Sequence, residues 1–249
     1  MYPMIRYKKT CPVLGVNVAV TDMDKTIEFL TNTLDDNRGE YVCVSNSHTV
    51  VTACDDPSYM EVQNGACMVM PDGKPLSVIQ RKKGFTEACK ASGPDLMGII
   101  TGPEYSKYRH FFYGGTEETL AKLSDALHAK NSDIQIAGMY SPPFRPLTDE
   151  EDANVVRMIN DSNPDFIWIG LGAPKQEIWM SNHKGKLNGI MLGVGAAFDF
   201  HAGTIKRAPL WMQKIGLEWF YRLTQDPKRL FKRYFVTNTK FIIYNLMGK

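Results

Sequence analysis

The sequence predicts an α/β fold, a doubly wound and mainly parallel sheet covered by helices, with a basic helical appendage at the C-terminus. Short apolar runs suited to strands alternate with longer stretches of helical periodicity, which is typical of parallel sheets joined by crossover helices. Charge marks the appendage: residues 205–249 carry 10 Lys and Arg against 2 Asp and Glu, whereas residues 1–204 carry 19 against 25. We therefore expect a body at residues 1–207 and a tail at residues 208–249.

The individual elements follow from the apolar runs and from the residues that end them. A strand over residues 13–20 gives way at Thr21 and Asp22, which can cap a helix that reaches about Leu34. Two short helices lie further on and stop at Gly65, a residue type common after helix ends. The remaining strands are predicted at residues 40–45, 66–70, 110–113, 135–138, 165–169 and 189–194. The longer helices are predicted at residues 117–130 and 149–159.

Ligands of such sheets bind beyond the carboxyl ends of the strands. The loops that this rule selects are residues 71–73, 114–116, 140–144, 170–177 and 193–199. Gly114, Thr116 and Tyr140 belong to two of these loops, so we count them as candidate binding residues. Glycine turns that lead into helices also offer backbone N–H groups, which suit an anion such as a diphosphate.

The loop at residues 170–177 has several features of an anion site. Gly172 permits close approach of the backbone, and the N–H groups at the start of the following helix suit a diphosphate. Gln176 and Glu177 add more polar groups than a turn requires. The alternative is an ordinary strand-to-helix turn, and the pattern alone leaves both interpretations open.

A second glycine loop precedes Asp199 and resembles part of a dinucleotide-binding fingerprint. Its first glycines are Gly193 and Gly195, but Phe198 replaces the third, which argues against a nicotinamide cofactor. The Asp199 carboxylate at a strand end suits hydrogen bonds from ribose or sugar hydroxyls. A helix-capping aspartate is the equal alternative.

Asp72 follows a predicted strand directly and lies between Pro71 and Gly73. A carboxylate fixed at the rim of a sheet and partly shielded from water can take the proton from an attacking hydroxyl. Pro-Asp-Gly is also a common turn tripeptide, and spacing alone favours the turn.

The rest of the body lacks the sequence motifs of several classes of protein. Neither histidines nor cysteines are spaced as metal ligands, and no G-x-S-x-G segment occurs, so we expect a metal-independent reaction without a cofactor. The five cysteines include no C-x-x-C pair and indicate a reducing compartment. No segment has the pattern of a signal peptide or a spanning helix. We therefore expect a cytoplasmic protein.

The tail interleaves aromatic and basic residues. Asp226 and Pro227 can open a helix, and from Phe231 onward aromatic residues recur at helical spacing among lysines and arginines. Such a helix suits the surface of an anionic membrane. The alternative is that the aromatic side chains pack on the body. Nucleic acid is not expected as a partner, because no recognition motif is present and the body is acidic.

Several segments together resemble one family of proteins. They are Gly170-Leu-Gly-Ala-Pro-Lys-Gln-Glu177, Gly193-Val-Gly-Ala-Ala-Phe-Asp199, Lys206-Arg207-Ala208-Pro209, Gly216-Leu-Glu-Trp219, Tyr221-Arg-Leu223 and Asp226-Pro-x-Arg-Leu230, with Asn46, Pro71-Asp72-Gly73 and Gly93-Pro-Asp95. This set is similar to the signature of the WecG/TagA/CpsF glycosyltransferases and covers nearly the whole chain from Leu14.

The resemblance implies an inverting, metal-independent glycosyltransferase with a Rossmann-like body and a tail that closes the site at the inner face of a membrane. The implied donor is a UDP-sugar carrying N-acetylmannosamine or a related sugar, and the implied acceptor is a saccharide on a polyprenyl diphosphate. Asp72 matches the family's proposed base, and Asn46 and Gln176 match residues of its sugar site. Arg222 and Arg229 match basic tail residues that meet the diphosphate. A homo-oligomer is left open.

Two positions near the expected sugar site depart from the family. Lys90 stands where an arginine is usual, five residues before Asp95, and it keeps the charge but loses the bidentate geometry. Val44 replaces a threonine. If these changes signal lost activity, a non-catalytic protein of surface-polysaccharide assembly becomes the alternative. A nicotinamide-dependent oxidoreductase is the other alternative, and it would need the glycine that Phe198 replaces.

Overall fold

The computed structural model describes residues 4–248, except for the side chain of Arg229. The strands in this part are β1 (Thr10–Val13), β2 (Val16–Ala19), β3 (Tyr41–Ser45), β4 (Met68–Pro71), β5 (Arg109–Gly114), β6 (Gln135–Tyr140), β7 (Phe166–Gly170) and β8 (Ile190–Gly193). The helices of the body are α1 (Met23–Asn32), α2 (Ser47–Asp55), α3 (Pro57–Gly65), α4 (Lys74–Lys82), α5 (Gly93–Ile100), α6 (Glu117–Lys130), α7 (Asp149–Asp161), α8 (Lys175–Asn182) and α9 (Ala197–His201). The helices of the tail are α10 (Leu210–Ile215), α11 (Glu218–Gln225) and α12 (Pro227–Leu246).

The main sheet confirms the predicted fold class. In the described chain it has six strands in the order β4-β3-β8-β7-β5-β6, and every neighbouring pair is parallel. Helices cover both faces, so central strands are apolar without alternation. In β7, Phe166 and Trp168 pack into one apolar cluster, whereas Ile167 and Ile169 pack into another. These two clusters form the core on either side of the sheet.

The strand predicted at residues 13–20 is wrong as a single element. The chain forms an antiparallel hairpin there, in which β1 pairs with β2 as a separate two-stranded sheet. The turn between them is made by Leu14 and Gly15, which both have positive φ angles of 50° and 85°. The buried Leu14 hides this turn in the sequence, because turn positions of this kind are usually glycine or asparagine.

Strand connectivity places a crevice at one edge of the sheet. From β3 the chain moves outward to β4, while β8 returns to lie between β3 and β7. The carboxyl ends of these strands, at Ser45, Pro71, Gly170 and Gly193, therefore meet at the same edge. In open α/β sheets, ligands bind beyond the carboxyl ends of the strands, at the position where the strand order reverses.

The tail helices continue from the body and pack against it. Leu230 and Phe241 of the tail are buried, and α12 lies along α2. Lys240 Nζ and Tyr244 Oη donate hydrogen bonds to the Asp55 carboxylate at the end of α2, at 2.6 and 2.7 Å. None of the described helices is both long enough and apolar enough to cross a membrane.

Candidate active site

A cavity of about 810 Å³ opens at the carboxyl ends of β3, β4, β7 and β8 and is bordered by the tail. Its described walls include Val44, Asn46, His48, Asp72, Lys90, Gly172, Gln176, Asp199, Glu218, Trp219, Arg222, Arg233, Tyr234 and Thr237. Both the body and the tail contribute side chains. The cavity is of the size and placement expected for a substrate site.

Asp72 stands at the rim of this cavity, directly after β4. Its backbone N–H donates to the Ser45 carbonyl at 2.7 Å, and this bond fixes the residue at the end of the sheet. Burial raises the pKa of the half-buried carboxyl to about 6, although the charge of Lys90 opposes the rise. No described group donates a hydrogen bond to this carboxylate or forms an ion pair with it. Asp72 is therefore mostly ionised at neutral pH and keeps a strong affinity for a proton, as a general base requires.

Ion pairs join the tail to the body beside Asp72. The Glu218 carboxylate accepts hydrogen bonds from Lys90 Nζ at 2.8 Å and from Arg207 Nε at 3.2 Å. The Arg207 guanidinium also donates to both oxygens of Asp95, at 2.5 and 3.0 Å. Two of the candidate residues, Lys90 and Asp95, are thus held by protein partners.

Asn46 opens α2 at the end of β3. Its Oδ1 accepts hydrogen bonds from the N–H groups of His48 and Thr49, at 2.9 and 3.4 Å, and Thr49 Oγ1 accepts one from the Asn46 N–H at 2.9 Å. This capping box fixes the side chain at the cavity wall. The Asn46 amide NH₂ has no partner in the described chain, so it stays available to a ligand.

Gln176 and Glu177 are both buried and belong to a polar network below the cavity. Gln176 Oε1 accepts from the Gly172 N–H at 3.1 Å, and Nε2 donates to the Gly193 carbonyl at 2.9 Å and to Glu177 at 2.8 Å. Tyr59 Oη donates to the other Glu177 oxygen at 3.0 Å. Burial raises the pKa of Glu177 despite these donors. Gln176 therefore ties the two glycine loops together at the floor of the site.

Three further candidate residues lie at the cavity itself. Gly172 has a φ of 76° and open space where a side chain would stand, so its backbone is exposed to a ligand. Asp199 lies in the first turn of α9. The Arg222 guanidinium lies 5.4 Å from the centre of the Phe200 ring, which is within the range of a cation–π contact. The side chain of Arg229 lies outside the described part of the chain.

Asp95 and Glu177 are not among the described residues that line the cavity, and three other candidate residues, Gly114, Thr116 and Tyr140, also lie outside this set. Gly114 has a φ of 124° and packs so closely on Gly170 that a side chain would meet its backbone. Thr116 caps α6, and the Tyr140 ring stacks on Tyr113 at 5.9 Å. The strands β5 and β6 lie away from the crevice between β3 and β8, which is why these three residues do not reach the cavity. Their contacts show that each of them has a role in the fold.

The structure adds functional candidates that the sequence did not single out. His48 and Arg233 both line the cavity, from α2 and α12, and Thr237 Oγ1 lies 3.4 Å from His48 Nδ1. Burial and the charge of Arg233 lower the pKa of His48. Sequence patterns give no signal for this cluster, because its members are far apart in the chain. For Arg207 and Glu218, the only indication in the sequence is that they occur in segments of the family signature.

Side chains that often bind metals are dispersed. The described chain contains no group of three or more His, Cys, Asp or Glu residues that could hold a metal ion. The five cysteines are free, and three of them are buried. Burial raises the pKa of Cys67 to about 12, so this thiol stays protonated and acts as an apolar packing group.

A parallel α/β sheet with a large cavity at the carboxyl ends of its strands and an unpaired carboxylate at the rim is an arrangement that suits an enzyme of the α/β class. The chain belongs to the WecG/TagA/CpsF family of glycosyl transferases, because the family model matches residues 11–249. It is therefore a glycosyltransferase.

Curated relatives are similar over most of their length. The N-acetylglucosaminyldiphosphoundecaprenol N-acetyl-beta-D-mannosaminyltransferase of Bacillus spizizenii is 28% identical over 224 residues, which cover 89% of this chain and 85% of the relative. The enzyme of the same name from Staphylococcus aureus strain MW2 is 29% identical over 224 residues, covering 88% and 85%. That of Bacillus subtilis strain 168 is 28% identical over 198 residues, covering 79% and 75%.

Proposed function

We propose that the chain transfers N-acetylmannosamine, or a related sugar, from a UDP-sugar to a saccharide carried on a polyprenyl diphosphate. The relatives support the transferred sugar and the acceptor, since each name contains an N-acetylmannosaminyl group and a diphosphoundecaprenol-linked N-acetylglucosamine. UDP as the carrier of the donor sugar follows from the resemblance to the family. The product is a precursor of a cell-surface polysaccharide or teichoic acid. The observation that carries this proposal is the unpaired Asp72 carboxylate at the cavity rim, with its pKa raised by burial to about 6.

The chemistry is a single displacement. A hydroxyl of the acceptor sugar attacks the anomeric carbon of the donor, and a carbon–oxygen bond forms there while the bond to the diphosphate breaks. UDP leaves with the electron pair, and Asp72 takes the hydroxyl proton. With a pKa of about 6, about nine-tenths of the Asp72 carboxyl is ionised at pH 7 and ready to accept it. One displacement without a covalent intermediate inverts the configuration of the sugar.

The leaving diphosphate fits the glycine loops at the ends of β7 and β8. The backbone at Gly172 is open to the cavity, and α8 begins three residues later, so N–H groups are available to phosphate oxygens. Arg222 lines the same cavity and has no ion-pair partner in the described chain. In this proposal Arg222, together with Arg229, stabilises the charge of the diphosphate without a metal ion.

The tail, residues 208–249, serves in this proposal as both a cover for the cavity and a membrane-binding surface. One side of it lines the cavity, whereas large apolar side chains elsewhere on it face outward, with Trp211, Phe231 and Phe235 each more than 60% exposed. Exposed aromatic residues beside lysines and arginines suit reversible binding to an anionic leaflet. Such binding would hold the enzyme at the inner face of the membrane, where the acceptor diphosphate lies at headgroup level.

The test is turnover with a panel of UDP-sugars and a short-chain lipid-diphosphate sugar acceptor. Asp72→Asn should reduce kcat/KM by about 10²-fold or more while the Kd for UDP stays nearly unchanged, because general-base catalysis contributes about that much. Asp36→Asn is the matched control, since Asp36 is exposed and outside the described cavity walls, and it should keep wild-type activity.

Three outcomes would contradict the proposal. Full activity of Asp72→Asn removes Asp72 from the mechanism. UDP binding without turnover on any sugar and acceptor favours a non-catalytic assembly protein. Tight binding of a nicotinamide dinucleotide without binding of UDP favours an oxidoreductase.

A further inference from the structure

The tail residue Glu218 lies between two cations of the body. Its carboxylate accepts hydrogen bonds from Lys90 Nζ at 2.8 Å and from Arg207 Nε at 3.2 Å. The side chains of Glu218 and Lys90 are only 20% and 23% exposed, so water screens this pair less than it screens a surface pair. Glu218 therefore fixes the Lys90 ammonium at the wall of the cavity.

Lys90 has a second carboxylate within electrostatic reach. Asp72 lines the same cavity, where burial raises its pKa and the charge of Lys90 opposes that rise. In the described chain no cation is ion-paired with Asp72. A lysine free to turn toward Asp72 would stabilise its ionised form and make it a weaker base. The bond between Lys90 and Glu218 works against that pairing.

We propose that Glu218 is a positioning residue for the transfer reaction: by holding Lys90, it keeps the Asp72 carboxylate unpaired and able to take the acceptor proton. This inference rests on the proposed function, in which Asp72 is the base. Glu218 begins α11, so the pair forms only when the tail lies on the body. Docking of the tail then prepares the base as well as covering the cavity.

The charges around Asp72 determine the direction in which each substitution should shift the pKa of Asp72. Burial raises the pKa of Asp72 most; of the charged groups that face it, Lys90 and Arg222 lower the pKa. Glu218 and Asp95 raise it. Neutralising Glu218 removes a negative charge and also frees Lys90, and both effects lower the pKa of Asp72. Neutralising Lys90 has the opposite effect, because Arg207 still holds Glu218 in place.

The pH dependence of kcat/KM measures this difference, because activity falls at low pH as the base becomes protonated. In the wild-type enzyme the acidic limb should lie near the Asp72 pKa of about 6. Glu218→Gln should move the limb down by about one pH unit and Lys90→Gln should move it up, because each substitution removes one charge that acts on Asp72. Glu118→Gln removes the carboxylate of an exposed pair with Lys122 on α6 and should leave the limb in place.

Circular dichroism at each pH shows whether the variants stay folded. Limbs that move in opposite directions support the role of Glu218. If the ion pairs of Glu218 only hold the tail on the body, both variants should lose activity while the acidic limb keeps its position. This result would overturn the inference. Asp72→Asn distinguishes the two possible failures. If the acidic limb survives in Asp72→Asn, the proposed mechanism fails; if it is lost there but unmoved in Glu218→Gln, only the role of Glu218 fails.

Discussion

Replacing Gln176 with leucine removes the side chain that ties the two glycine loops together. Gln176→Leu keeps the volume of the site but deletes the hydrogen bonds to Gly172, Gly193 and Glu177. Water at the cavity can replace the bond to Gly172, so two buried groups lose their partner, the Gly193 carbonyl and the Glu177 carboxylate. Each such group costs about 1–3 kcal/mol, and we therefore expect the free energy of unfolding to fall by about 4 kcal/mol. The Kd for UDP should rise by about tenfold or more, since the two glycine loops are no longer held at a fixed distance from each other.

The destabilisation should depend on pH because of Glu177. Burial raises the pKa of this carboxyl in the folded state, and the hydrogen bond from Gln176 opposes the rise. Without that donor the folded-state pKa rises further. A raised folded-state pKa contributes stability at low pH that is lost as the pH rises through the folded value, so Gln176→Leu should be less destabilised at pH 5 than at pH 8.

Urea unfolding followed by tryptophan fluorescence measures these losses, with the buried Trp168 as an internal reporter. Gln176→Leu combined with Glu177→Gln should show no such difference between the two pH values. Lys175→Met, an exposed neighbour, should change the free energy of unfolding by less than about 0.5 kcal/mol. A loss below about 1 kcal/mol in Gln176→Leu, or an equal loss at both pH values, would refute the assignment of Gln176 as the link between the loops.

Three further predictions concern the metal, the membrane and the tail. Activity should persist in excess EDTA, measured as UDP release; complete loss that Mg²⁺ or Mn²⁺ restores would contradict metal independence. Changing Phe231 and Phe235 together to serine should lower binding to anionic vesicles by about tenfold or more in sedimentation, and salt should weaken binding of the wild-type protein, because apolar burial and basic charge both contribute. Indifference to these vesicles would show that the tail has no membrane role. Removing residues 208–249 should abolish transfer while circular dichroism still shows a folded body; wild-type turnover of the truncated protein would contradict a tail that completes the site.

The parallel sheet could be predicted from the sequence because each strand leaves a local signal. Helices cover both faces of the sheet, so a central strand such as β7 is a short continuous apolar run. Polar and glycine-rich loops separate these runs from the helices. The hairpin of β1 and β2 gave no such signal, since Leu14 places an apolar side chain in the turn itself and the two strands merge into one apolar run.

The site was predicted only in part, because its chemistry depends on residues distant in the chain. Asp72 follows a strand, so the rule for strand ends selects its loop without a structure, whereas Asn46 is located by the family signature alone. The pair between Lys90 and Glu218 joins residues 128 positions apart and depends on how the tail packs, which no local pattern encodes. The sequence shows that Gln176 is a polar residue in a glycine loop, but only the three-dimensional contacts show that its side chain is bonded to the backbone of both loops.

The configuration of the transferred sugar tests the central claim most directly. The enzyme would be incubated with an α-linked UDP-N-acetylmannosamine donor and a lipid-diphosphate N-acetylglucosamine acceptor, and the anomeric linkage of the product would be read by NMR. A single displacement with Asp72 as the base predicts a β-linked product, which Asp72→Asn should form about 10²-fold or more slowly. An α-linked product would contradict the account, because a single in-line displacement at the anomeric carbon cannot retain the configuration of the sugar.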